Sequence, residues 1–478
     1  MQQLSGLDAS FLYFETARNP MHVSGFGVYD PSTSPEGGVS FERILKHTEG
    51  RLHLARCFRQ KLARVPLDLD HPWWIEDERF DLEFHVRHLA LPPPGDWRQL
   101  CTQAARLHSR PLDLTRPLWE MYLIEGLNRI PGAPAGSYAV FTKIHHAAID
   151  GASGVELTAA LHDDRPEPRT PAPKKGWVPE REPAALELLA RAAGRNARNP
   201  FRLARLVGRT VPALARARRE LRTRDDEDAS GPVPRTRFNG LVTQHRVMGG
   251  VIFDLGVIRE IRKTVAGATV NDVILTICGG GLRSYLESKG ELPKESLIAM
   301  APISVRTEQE RGSAGNQVSV MNVTVRSDVA DPTQRLRAVF EGTQRSKALT
   351  HAVGARLLTD YTQFVPGMLA GLGMRGYTRF GLANRHTPLF NAVITNVPGP
   401  QVPLYSAGAR LVANYGAGPV LDGMGLIMPI FSYCGEVTAS FTSCREMLPD
   451  PEFFEDCLRE SYDDLRAATL EAGAKAGG

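Results

Sequence analysis

The 478-residue sequence predicts a mixed α/β protein of two domains, and three observations predict it. The chain is too long for one ordinary hydrophobic core. Both halves mix short β-branched apolar runs with stretches of helical periodicity. Between them lies a segment rich in Pro and Arg, whose composition reads as a connector. The expected division is an N-terminal half over 1–162, a partly helical connector over 163–235, a C-terminal half over 236–470 and a flexible tail over 471–478.

In the first half, Phe41 to Ala63 and Trp97 to Ser109 read as helices. Met121 to Ile124 and Ser137 to Ile144 read as strands, and Gly154 to Leu161 as a following helix. In the connector, Leu188, Leu189 and Ala192, then Leu203, Leu206 and Val207, recur near helical spacing, with Pro200 as a break. In the second half, Gly250 to Leu255, Leu297 to Val305, Val318 to Val325 and Asn391 to Asn396 are strand-like. Leu426 to Cys444 reads as a hairpin turning at Cys434-Gly435. Asn271 to Leu286, Thr333 to Ala348 and Pro451 to Ala468 are helical in pattern, with Thr269 placed to cap the first.

Hydrophobic residues make up 42% and charged residues 23%, which excludes a wholly disordered chain. No run approaches the roughly 18 apolar residues that a membrane-spanning helix needs. Met1 to Ser10 shows neither the basic start nor the apolar stretch of a secretory signal. The six cysteines, at 57, 101, 278, 434, 444 and 457, form no C-x-x-C pair. They read as reduced thiols of a cytoplasmic protein, with no metal framework.

The net charge of +4 is unevenly spread: Arg191 to Arg224 holds eleven arginines against one acid, Glu220. Three readings stand for that segment. It is a solvated linker helix, or it binds an anionic membrane or lipid-droplet surface, or it binds nucleic acid. The last has least support, because no aromatic interleaving accompanies the charge, and no nucleic-acid partner is expected.

The chemistry concentrates at His145-His146-Ala147-Ala148-Ile149-Asp150-Gly151, where a strand ends in two histidines. A neutral imidazole, with an ordinary pKa of about 6.5, can take a proton from a hydroxyl. The glycine allows a sharp turn directly afterwards. The alternatives are a buried structural histidine and a metal ligand, but no third or fourth ligand stands at a usual spacing.

This pattern resembles the HHxxxDG signature of the acyl-CoA-dependent acyltransferase superfamily. Further segments resemble its bacterial wax ester synthase/acyl-CoA:diacylglycerol acyltransferases: LSGLDASFL at Leu4 to Leu12, NPMHV at Asn19 to Val23, and RPLWE at Arg116 to Glu120. They continue with Asn271-Asp272, PISVR at Pro302 to Arg306, Gly315-Asn316, and NVPGPQVPLY at Asn396 to Tyr405. Their shared order makes the match specific, and it covers nearly the whole chain outside the basic connector. The sequence departs from the family pattern at Ile427, Cys434 and Cys444.

The resemblance implies two chloramphenicol acetyltransferase-like domains with the active site in a channel between them. It implies direct acyl transfer from a long-chain acyl-CoA, bound as substrate and not as cofactor, to a diacylglycerol or a fatty alcohol. His146 would be the general base and His145 would orient the loop with Gly151. Asp150 would be structural, paired with Arg306. Asn271 would donate to the oxyanion or position substrate, or would serve only the helix terminus. Pro117, Leu118, Trp119 and Asp272 would line the substrate channel, although Pro117 to Trp119 read more readily as core packing ahead of the Met121 to Ile124 strand. The alternatives are an HHxxxDG enzyme acylating another lipid or polyketide hydroxyl, and a non-catalytic lipid-body-binding protein. The expected place is cytoplasmic, peripheral to the inner membrane face or to lipid bodies.

Two motif matches fail on context. Gly371, Gly373 and Gly376 fit G-x-G-x-x-G, but no clear strand precedes them and the next acid is Asp422. Phe364 to Met374 reads instead as an apolar surface or acyl-contacting segment. Gly151-Ala152-Ser153-Gly154-Val155 has valine where a nucleophile elbow needs its second glycine.

Overall fold

The computed structural model describes residues 1–35, 37–149, 158–169, 179, 181–197, 232–304, 318–353 and 367–471. The chain begins with β1 (Gln2–Gln3), α1 (Gly6–Phe14), β2 (His22–Asp30), α2 (Phe41–Glu49), β3 (Gln60–Ala63) and β4 (Trp73–Glu76). It continues through α3 (Leu82–His85), β5 (Val86–Ala90), α4 (Trp97–His108), β6 (Trp119–Leu127) and β7 (Ser137–His145). Helix α5 (Ala185–Asn196) belongs to the connector. Then come β8 (Arg246–Asp254), α6 (Leu255–Lys263), α7 (Val270–Ser288), β9 (Ile298–Ser304), β10 (Val318–Thr324), α8 (Pro332–Val353) and α9 (Gly367–Arg379). The last elements are β11 (Ala392–Pro398), β12 (Tyr405–Ser406), β13 (Ala409–Ala417), β14 (Leu426–Tyr433), β15 (Glu436–Cys444) and α10 (Pro451–Arg466).

Two six-stranded sheets organise these elements, with strand orders β12-β13-β2-β7-β6-β5 and β10-β9-β11-β14-β15-β8. A three-stranded sheet, β1-β4-β3, sits beside the first. Strand β13 comes from the C-terminal half but completes the N-terminal sheet, running antiparallel to β2 from Arg410 opposite Asp30 to Ala417 opposite Ser24. The two halves are therefore interleaved. Neither β2 nor β13 announces itself locally, because Gly25, Gly27 and Gly416 interrupt the apolar alternation. Those glycines are there for contact: a Cβ on Gly25 would stand 2.9 Å from the Tyr415 carbonyl oxygen.

The expected helix from Phe41 to Ala63 is cut short. It ends at Glu49, two 3-10 turns follow, and Gln60–Ala63 pairs with Trp73–Glu76 as a strand. Backbone pairing with a distant partner overrides the local periodicity there. The Leu426 to Cys444 hairpin forms as expected, with Cys434 at φ 46° and Gly435 at φ 86°. Two successive positive φ values make this a type I′ turn, matched to the twist of its strands. Thr269 caps α7 with its hydroxyl, and Asp272 returns the bond in a reciprocal capping box. The rejected glycine motif lies inside helix α9, not on a strand-to-helix loop.

The largest core packs α7 and α10 onto the C-terminal sheet. Three consecutive glycines, Gly279 to Gly281, let α7 approach its neighbours. A Cβ on Gly279 would lie 2.0 Å from the Val325 carbonyl oxygen. Gly279→Ala gains about 1 kcal/mol of helix propensity but meets backbone that cannot step aside. Overpacking costs about 1–3 kcal/mol or more, so the variant is expected to melt at a lower temperature in calorimetry. An unchanged or raised melting temperature would mean that β10 and its flank yield freely.

A shared carboxylate joins the halves. Glu455 on α10 accepts hydrogen bonds from the Trp97 indole at 2.8 Å and from the Gly250 amide at 2.9 Å. The Trp97 ring also packs on Tyr415, 4.6 Å between centroids. No described helix is long and apolar enough to cross a membrane.

Candidate active site

Strand β7 delivers the histidine pair, and its backbone holds them from both sides. The His145 amide donates to the Leu118 carbonyl and the His146 amide to the Met21 carbonyl, each at 2.9 Å. His145 is fully buried. Its Nδ1 accepts the Ala147 amide at 3.0 Å, so its proton sits on Nε2. That Nε2 lies 3.4 Å from Glu15 Oε2, close enough for charge attraction but misaligned for a hydrogen bond. The other Glu15 oxygen accepts the Met21 amide at 3.4 Å. Glu15 thus closes a ring through His145, the motif backbone and Met21.

His146 is half-buried, with its ring stacked on Phe11 of α1 at 3.9 Å between centroids and 15° between planes. Burial chiefly, and the neighbouring His145, push its pKa down to about 4, against a raising pull from its own backbone carbonyl. Its Nδ1 is buried and makes no aligned hydrogen bond among the described residues. With its pKa near 4, the ring is neutral throughout the physiological range.

Behind the motif, buried polar groups brace β6 and β7. Lys143 is fully buried, 2.9 Å from Glu120, and donates to the Arg110 carbonyl at 3.0 Å. His22 bonds the His108 carbonyl at 2.7 Å. His108 in turn bonds Ser24 at 2.8 Å and the Gly418 carbonyl, across the halves, at 3.1 Å. These pairings make the buried charge and the buried imidazoles tolerable.

A cavity of about 720 Å³ opens beside this loop, in the size class of small-molecule sites. Leu12 and Tyr13 from α1, Glu15 just after it, Leu112 and Leu114 from the loop before β6, and Leu372 from α9 contribute to its wall. Glu15 therefore touches both the cavity and the histidine loop.

The other expected site residues divide. Asp150, Gly151 and Arg306 lie outside the described residues, as does Gly315-Asn316. Asn271 is half-buried in the first turn of α7, and its Oδ1 accepts from Asn396 Nδ2 at 3.2 Å. That bond joins the Asn271-Asp272 and NVPGP segments and leaves the Asn271 amide donor uncommitted among the described residues. Asp272 stands in the first turn of α7. It is fully buried, bonded by Thr269 at 2.7 Å and Thr343 at 2.6 Å, and serves α7. Pro117, Leu118 and Trp119 are buried too. Leu118 packs under Ala147, and the Trp119 indole donates to the Phe58 carbonyl at 3.0 Å. Leu118 and Trp119 are thus packed in the core.

Sequence reasoning missed Phe11, Glu15 and Met21. Phe11 and Met21 sit within LSGLDASFL and NPMHV, segments that carried the resemblance without a role, and Glu15 lies between the two.

Comparison with known proteins decides the family. Residues 4–274 match the model of the wax ester synthase/diacylglycerol acyltransferase catalytic domain, and residues 314–466 the model of its C-terminal domain. The chain belongs to the wax ester synthase/diacylglycerol acyltransferase family. A putative diacyglycerol O-acyltransferase of Mycobacterium tuberculosis (strain ATCC 25618 / H37Rv) is 36% identical over 467 residues, covering 97% of this chain and 90% of that one. A second from the same strain is 33% identical over 479 residues, covering 98% of each. The wax ester synthase/diacylglycerol acyltransferase from Marinobacter aquaeolei VT8 superposes with a TM-score of 0.69 at 27% identity, covering 99% of this chain and 100% of that one. The first condensation domain of the calcium-dependent antibiotic synthetase shares the fold at 14% identity, with a TM-score of 0.54 over 98% of this chain and 96% of its own. This family member is an acyltransferase, and its fold is the two-domain chloramphenicol acetyltransferase-like one that the resemblance implied.

Proposed function

We propose that this acyltransferase moves a long-chain acyl group from acyl-CoA to the hydroxyl of a diacylglycerol or a long-chain fatty alcohol, in a ternary complex. His146 Nε2 takes the proton as the acceptor oxygen attacks the thioester carbonyl. The tetrahedral oxyanion collapses, the carbon–sulfur bond breaks, and the imidazolium returns its proton to the departing CoA thiolate. The thioester is already activated, so the enzyme's contribution is chiefly position and base. Asn271 offers a neutral donor to the oxyanion or to substrate. Asp150 and Arg306 act as a structural pair that braces the motif loop. No cofactor or metal enters the reaction.

One observation carries this reading above the others: His146, stacked on Phe11, stands on a loop that borders a cavity of about 720 Å³ through Glu15. The names of the relatives support the acyl acceptor as diacylglycerol or alcohol. Peripheral association with an anionic membrane or lipid bodies follows from such acceptors, with 191–224 as the basic segment that the sequence offers.

The test is thiol release from palmitoyl-CoA by purified protein with no acceptor, with hexadecanol, and with dioleoylglycerol. Acceptor-dependent release is the expected result, and the ratio ranks the two acceptors. Release with another lipid or polyketide hydroxyl alone would move the substrate class. No release with any acceptor would leave a lipid-body-binding protein that has kept the motif.

A further inference from the structure

The surface around helix α9 combines two properties that soluble faces rarely join. Large apolar side chains stand in solvent: Leu372 is 56% exposed, Phe380 64% and Leu389 72%. Cations accompany them, since Arg375, Arg379 and Arg385 are all exposed. From residue 361 to residue 421 the sequence contains no Asp or Glu; the acids nearby, Glu15 and Asp68, come from other elements and share the cavity wall with Arg375 and Arg64. Large apolar side chains exposed among polar ones mark a candidate binding face. Apolar residues interleaved with arginines fit an anionic lipid interface, where the side chains enter the acyl boundary and the guanidinium groups meet phosphates.

Position strengthens the case. Helix α9 packs on α1 and on the turn that carries Leu67, which is 79% exposed and held at φ 59°. Between these elements opens the 720 Å³ cavity, with Leu372 and Arg375 in its wall. The arginine connector is a weaker candidate where it is described. Arg191 is paired with Glu187 at 2.9 Å and sits over the Trp73 ring, and Arg195 lies 3.9 Å from Asp70, so both serve the fold.

We propose that the face formed by α9 and the segment through Leu389, with Leu67 beside it, docks on an anionic lipid surface and turns the cavity mouth toward it. A lipid acceptor then enters from the bilayer without crossing water. The route of entry rests on the acyl-transfer reading; the docking does not.

The experiment uses the full chain with phosphatidylcholine vesicles, with and without phosphatidylglycerol. Two double variants avoid the cavity wall and the histidine loop: Phe380→Ser with Leu389→Ser, and Arg379→Gln with Arg385→Gln. All four positions are exposed, and a matching melting temperature confirms folding. Loss of the two arginines is expected to weaken sedimentation with anionic vesicles by about thirtyfold, about fivefold for each charge, and to leave binding to neutral vesicles unchanged. Loss of the apolar pair is expected to weaken both by about tenfold or more. CoA release on vesicle-borne dioleoylglycerol falls in step, and release with a short, water-soluble acyl-CoA and alcohol does not. Wild-type vesicle binding by both variants would overturn the proposal, all the more if neutralising the 191–224 arginines abolished it. So would an altered oligomeric state with intact vesicle binding, which would make the face a self-association surface. Altered vesicle binding in a protein that releases no CoA with any acceptor would sink the reaction and keep the docking face.

Discussion

Replacing His146 by alanine is expected to lower kcat/KM for acyl transfer by about 10²- to 10⁴-fold, the range that a general base supplies. The ring is half-buried and rests on Phe11, so its removal opens space at the site without stripping the core. The melting temperature should hardly move. The pH profile adds a second readout. The base must be neutral, and burial holds its pKa at about 4. Activity should therefore stay level from pH 7 down to about 5, where an ordinary imidazole of pKa about 6.5 would already be mostly protonated. His145→Ala should be milder, because His145 acts through the Ala147 amide and Glu15 and not on substrate. If the His146 variant kept a tenth of wild-type activity or more, another group would be the base.

The second large effect is acid lability. Burial drives His108 down to about 3 and His162 down to about 4, and carries His22 well below its ordinary value. Each imidazole is neutral in the fold and titrates near 6.5 once unfolded. The unfolded chain therefore binds protons that the native state refuses, and stability falls as pH drops through 6.5. At pH 5, His108 and His162 each cost about 2 kcal/mol, against about 5–15 kcal/mol for a typical domain. Glu455 and Glu436 pull the other way, since burial raises both and protonation then favours the fold. The histidines outnumber them and shift further. Denaturant midpoints are expected to drop steeply between pH 6.5 and 5, with uptake of two or more protons on unfolding at pH 5.5. A midpoint constant across that range would refute the assignment of buried neutral imidazoles.

The features legible in the sequence were mostly local. A strand ending at His145, the cap at Thr269 and the turn at Cys434-Gly435 each depend on a few neighbouring residues, and each stands where the pattern put it. Asp272 marks the limit of such reading, because the same residue type serves a helix cap and a substrate channel. Only its burial and its bonds to Thr269 and Thr343 separate the two. Trp119 was ambiguous for a similar reason, until the Phe58 carbonyl was found to hold its indole.

By itself, then, the sequence determined the family, the two-part α/β class and the histidine pair, since ordered motifs and periodicity are properties of short windows. The tertiary structure alone decided that β13 crosses back to β2, more than 370 residues away in the chain, and that Phe11 and Glu15 meet the histidine loop. It also decided which histidines lose their charge. Strand pairing, stacking and desolvation are interactions between distant segments, and no local window of residues contains both partners.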